Sequence, residues 1–112
     1  MSTKTILINR KKWARGFKSS LLDNDSGKMC CLGFACKSFG VTSASINSRG
    51  APQYIHSDIQ REKLPIWLRD SYKDMYRLIR INDDSIIYSE EDREKEIIKI
   101  FKKHELNIKF VG

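Results

Sequence analysis

From Ser89 to His104 the chain sorts its charges by position. Glu90, Glu91, Asp92 and Glu94 crowd the beginning of the stretch; Lys99, Lys102, Lys103 and His104 crowd its end. A helix has a positive N-terminus and a negative C-terminus, so this order favours a helix over any strand. Ser89 supplies an N-cap oxygen, and Asp92 three residues later completes a variant of the capping box. Ile97, Ile98 and Phe101 share one side, so the helix has to bury an apolar stripe against other elements. A chain of 112 residues has the length for one such core, and we read residues 1–112 as a single globular domain.

Upstream, Trp13, Phe17 and Leu21 recur at i, i+4 and i+8 with Ala14 beside them, which predicts a helix from about Asn9 to Leu22. Lys11, Lys12, Arg15 and Lys18 then fall on its opposite side. Asp23 to Gly27 reads as a turn. Lys28 to Cys31 reads as a short extended entry to a buried helix from about Cys31 to Phe39, where Leu32, Ala35, Cys36 and Phe39 share a face and Gly40 closes it. Residues 42–53, rich in Ser, Asn and Gly, form a loop. Leu64 to Leu68 starts a short helix with Pro65 at its first position, Tyr72 to Ile79 has helical spacing although Arg77 to Ile81 also fits a strand, and Asn82 to Ser85 breaks whatever precedes it. Asn107 to Val111 alternates as a strand does. The expected class is α+β: about four helices with a small sheet of short strands near Met29, Ile55 and Ile108. The expected core includes Trp13, Phe17, Leu21, Leu32, Cys36, Phe39, Trp67, Leu78, Ile97 and Phe101.

Composition narrows the class of function. With 40% apolar and 31% charged residues the chain is neither disordered nor membrane-embedded. The start carries only the short run Ile6-Leu7-Ile8, which is no secretory signal. The three cysteines (Cys30, Cys31 and Cys36) are odd in number and tightly clustered, a poor disulfide framework that fits a reducing cytoplasm. The charge is one-sided. Residues 1–50 carry nine Lys and Arg against Asp23 and Asp25, while residues 51–112 balance. The excess of +7 thus lies in the first half, and it points to an anionic partner: nucleic acid, nucleotide or acidic protein.

Three chemistries compete for the cysteine segment. Packing needs only that the thiols behave as small apolar groups, and the position of Cys36 on the apolar face favours it. A metal site wants four ligands in close pairs, and only His56 and His104 stand elsewhere, so no metal or other cofactor is expected. A nucleophile at a helix start draws on the N-terminal dipole; Cys31-Leu32-Gly33-Phe34 followed by Phe39-Gly40-Val41 is similar to the cysteine helix of NlpC-type peptidases. That resemblance implies a cysteine-dependent hydrolase with Cys31 as nucleophile and His56 or His104 as base, although Cys30 stands where those enzymes carry Asp. Trp67, Tyr72 and Tyr76 have the ring faces to stack on bases, and Asp83 and Asp84 the oxygens for a cation, but helix packing and a turn explain both groups. No P-loop, GxGxxG or GxSxG is present, and no helix-turn-helix, RRM, KH or zinc-finger signature.

Trp13, Cys30-Cys31-Leu32-Gly33, Cys36, Gly40, Leu64-Pro65, Trp67 and Ile81-Asn82-Asp83 stand in an order that resembles a family of small tailed-phage and prophage proteins. Ser85-Ile86-Ile87-Tyr88 replaces the Ser-Phe that opens that family's last helix, and Lys37 replaces the acidic residue that often follows the third cysteine. The resemblance implies a viral accessory protein in the host cytoplasm and supplies no activity. The expected function is therefore non-enzymatic inhibition of a host or defence component, with Lys11, Lys12, Arg15 and Lys18 meeting an anionic partner and no membrane. The alternatives are the hydrolase built on Cys31 and His56, and a non-specific DNA- or RNA-binding protein.

Overall fold

Ile6 and Ile8 are buried while Thr5 and Leu7 face outward, and this period of two makes Lys4–Asn9 a strand, β1. Its partner is the far end of the chain. Strand β2, Leu106–Val111, pairs with it in parallel, with Ile6 opposite Ile108 and Ile8 opposite Phe110. Parallel pairing requires a crossover, and here the crossover is all of the intervening chain. The computed structural model of the protein describes residues 4–69 and 73–112. Among these are six α-helices: α1 (Cys31–Ser38), α2 (Ser43–Ile46), α3 (Asp58–Arg61), α4 (Ile66–Arg69), α5 (Lys73–Asp83) and α6 (Glu90–Lys103), with short 3-10 turns at Arg10–Lys12 and Pro52–Tyr54. The class is α+β, with more helices than the sequence suggested because three of the six are single turns.

The helix expected over residues 9–22 does not form. Asn9 caps only the 3-10 turn, accepting from the Lys11 amide at 3.0 Å. Trp13 then forms a parallel bridge with Met29: the Ala14 amide donates to the Met29 carbonyl at 2.9 Å and the Met29 amide to that of Lys12 at 3.0 Å. Gly16 turns the chain at φ +78°, a left-handed conformation that glycine adopts without strain. Past that bend Phe17 emerges 58% exposed while Leu21 is fully buried, so Phe17 leaves the expected core. Phe39 packs only at its edge. The sheet also differs. Met29 makes one isolated bridge and Ile55 caps the 3-10 turn, whereas β1 was not anticipated.

Two of the expected helices have their expected ends. α1 closes with the Gly40 amide on the Lys37 carbonyl and the Val41 amide on that of Cys36, Gly40 having φ +88°, the pattern of a Schellman cap. α6 opens with the Ser89 hydroxyl accepting from the Asp92 amide at 3.1 Å. Gly33 presses α1 onto the backbone of Leu21, where a Cβ would stand 1.8 Å from the carbonyl oxygen. One core joins β1, β2, α1, α4, α5 and α6 through Ile6, Ile8, Trp13, Leu32, Leu68, Leu78 and Phe101, among others. No helix among the described residues is long and apolar enough to cross a membrane.

Candidate anion-binding surface

The segment that carries the basic residues is fixed by one buried side chain. Asn82, 1% exposed at the end of α5, accepts at Oδ1 from the Trp13 indole N–H at 2.8 Å and from the Cys31 amide at 3.0 Å. Its Nδ2 donates to the Ala14 carbonyl at 2.9 Å and to Asp83 Oδ1 at 3.0 Å. Its own carbonyl accepts from the Gly16 amide at 2.9 Å. Every donor and acceptor position of the amide is used, and together with the Asn82 carbonyl it ties Trp13, Ala14 and Gly16 to the end of α5.

On this scaffold arginines and lysines part ways. Arg10 makes a two-pronged pair with Glu94 of α6, at 2.8 and 2.7 Å. Arg15 donates from Nε to Glu90 Oε2 at 2.8 Å, from Nη1 to the Arg10 and Trp13 carbonyls, and lies 4.5 Å above the Trp13 ring. Buried Arg93 holds the Ile81 and Asp84 carbonyls and Glu90. The planar, forked guanidinium suits such multiple contacts. Lys11, Lys12 and Lys18 are exposed, and no ion pair involves them among the described residues. Arg15, expected beside them as a partner-binding residue, is paired with Glu90.

Lys28, expected only at the start of the cysteine segment, joins the three lysines on the exposed surface. The parallel Trp13–Met29 bridge puts Lys12 and Lys28 each one residue before the bridge on its own segment, and both are exposed. Lys18 and Lys28 line one shallow cleft of about 100 Å³ together with Phe17, Ser20, Asp23 and Ser26. Asp23 lies within the turn that forms one wall: it accepts from the Asp25 amide at 3.1 Å and the Ser26 hydroxyl at 3.0 Å. Available signals for Phe17 and Lys28 were Gly16, which interrupts the helical stripe one residue before Phe17, and the repeated Lys-apolar pairs Lys12-Trp13 and Lys28-Met29.

The other candidate residues lie apart. Cys31 and Cys36 are fully buried and Cys30 nearly so. Burial pushes all three thiols up, Cys30 to about 12, the reverse of what a nucleophile needs. The proximity of Cys30 adds to the effect at Cys31 and Cys36. His56 is exposed and lies 3.4 Å from an Arg49 nitrogen. His104 stacks on Trp67 at 3.9 Å and meets Asp74 at 2.8 Å. Neither histidine bonds a cysteine among the described residues, and no group of three His, Cys, Asp or Glu there has the arrangement for a metal.

Trp67 is buried between Phe101 and His104, and Tyr76 directs its hydroxyl to Gln53; Tyr72 lies outside the described residues. Asp84 accepts the Ile86 and Ile87 amides at 2.8 and 2.6 Å, which keeps its carboxyl below the usual range and accounts for it as a turn residue. Asp83 receives the Asn82 amide, and burial raises it. Compared with known proteins, the chain matches no family model, no curated protein and no solved structure.

Proposed function

We propose that the chain is a small phage-encoded accessory protein of the host cytoplasm that inhibits a host or defence component by stoichiometric binding rather than catalysis. Its partner is anionic and docks on Lys11, Lys12, Lys18 and Lys28. One observation carries the reading: the arginines of this segment have internal counter-ions, whereas its lysines face water without any among the described residues. Like charges held together on a fixed surface raise the local potential and attract opposite charge. The buried, proton-retaining thiols support binding over hydrolysis.

The phage origin rests on the resemblance. Of the residues that carry it, Trp13 and Cys31 both donate to Asn82, and Gly33 seats α1 on Leu21. Residues used in this way define a scaffold, so the activity has to reside on the surface that the scaffold presents.

The experiment is affinity capture from host lysate with the wild-type chain and with Lys12→Glu/Lys28→Glu, each with and without nuclease. The reading expects capture that weakens with salt and is lost on charge reversal. Equal capture by a reversed variant with native circular dichroism would refute it.

A further inference from the structure

We infer that the cleft beside Phe17 takes a base of single-stranded nucleic acid, with Lys12, Lys18 and Lys28 on the flanking phosphates. The inference rests on the anionic-partner reading for the sign of the partner's charge, and adds its chemical class. Phe17 is the first observation. It is 58% exposed, although it lies four residues from the buried Trp13, between Gly16, whose amide donates to the Asn82 carbonyl, and Ser20, whose carbonyl accepts from the Cys30 amide. An exposed ring on a fixed backbone is a stacking platform that loses little entropy on binding.

The cleft's mixed polarity is the second. Lys18 and Lys28 share it with Asp23 and the hydroxyl-bearing Ser20 and Ser26. A phosphate seated inside would be repelled by the Asp23 carboxylate; a base would be accepted by it, since a ring N–H such as thymine N3–H donates to a carboxylate oxygen, and each oxygen of Asp23 keeps a lone pair beyond its bond within the turn. The arrangement therefore puts the base in the cleft and the phosphates on the exposed ammonium groups, among which Lys12 extends the track beyond the cleft.

The third is the irregular backbone. Residues 13–30 form bridges and turns, with no helix or two-stranded ribbon to enter a major groove. A duplex keeps its ring faces stacked, so Phe17 would have nothing to contact. A single strand offers free faces.

The test is fluorescence anisotropy with a labelled oligothymidylate of about twelve nucleotides, within the usual reach of a small single-strand binder. A duplex of the same length and free thymidine monophosphate serve as the other probes. The expected result is tighter binding to the oligothymidylate than to the duplex. Phe17→Ala should weaken it roughly tenfold or more, Phe17→Trp should restore it, and Lys18→Glu/Lys28→Glu should abolish it. Phe17 is exposed, so these variants keep their fold. Equal affinity for the duplex, indifference to Phe17→Ala, competition by the monophosphate at oligonucleotide concentrations, or no binding would each overturn the inference. A lysate partner that survives nuclease and is lost on charge reversal would leave the anionic-partner reading standing while this one fell.

Discussion

The indole N–H of Trp13 reaches Oδ1 of Asn82 at 2.8 Å across 69 positions of sequence. The same oxygen receives the amide of Cys31, so one side chain joins the first loop, the start of α1 and the end of α5. Replacing Asn82 with Ala would leave a buried indole N–H, a buried amide and the Ala14 carbonyl without partners. Each unsatisfied group costs roughly 1–3 kcal/mol, so urea unfolding should show a loss of at least about 3 kcal/mol. Trp13→Phe, which removes only the indole bond, should cost less. A loss for Asn82→Ala below about 1 kcal/mol would mean that the network does not organise the fold.

Gly33→Ala tests the contact between α1 and Leu21. The added methyl would stand 1.8 Å from a backbone oxygen, so α1 would have to move away. Overpacking of this kind costs roughly 1–3 kcal/mol, and we expect the upper part of that range, read as a lower thermal midpoint. An unchanged midpoint would show that α1 sits elsewhere.

These two contacts also mark what the sequence discloses. α1 and α6 were legible because their caps and apolar spacings are local: Gly40 closes one and Ser89 opens the other. Residues 9–22 misled because Trp13, Phe17 and Leu21 keep helical spacing while the backbone is committed to Met29 and Asn82, far along the chain. The division between free lysines and paired arginines was hidden for the same reason. Arg15 meets Glu90 and Arg10 meets Glu94, 75 and 84 residues away, and formal charge along a sequence does not reveal such cancellation. β1 likewise depends on β2 at the opposite end of the chain.

The buried thiols make stability sensitive to alkali. Their folded pKa values lie above the unfolded value of about 8.5. Their contribution is thus complete below that pH and is lost as pH rises, for Cys30 up to about 12. Each thiol adds a slope of about 1.4 kcal/mol per pH unit in that window. Denaturant titrations between neutral pH and the alkaline range should show the fall, shallower by one such increment in Cys36→Ala. Equal slopes, or rapid labelling of native Cys36 by a thiol reagent, would contradict the burial.

Asp74 gives the opposite sign. His104 at 2.8 Å and then Lys103 at 3.1 Å hold its carboxyl below the ordinary value of 3.8, tying the start of α5 to the end of α6. The contribution is present above that value and disappears as pH falls through the lowered one. Asp74→Asn should cost about 1–3 kcal/mol at neutral pH, and the difference from wild type should vanish in strong acid. A difference independent of pH would assign the effect to packing.

The lysine surface is the centre of the account, and salt dependence measures it most directly. Affinity for oligothymidylate should fall with ionic strength at about 0.7 logarithmic units per neutralised phosphate for a single strand. Lys12→Glu/Lys28→Glu should flatten that slope and weaken binding at least tenfold while the thermal midpoint stays nearly unchanged, since exposed charges contribute little to folding. A folded charge-reversed protein with undiminished affinity and an unaltered salt slope would contradict the account.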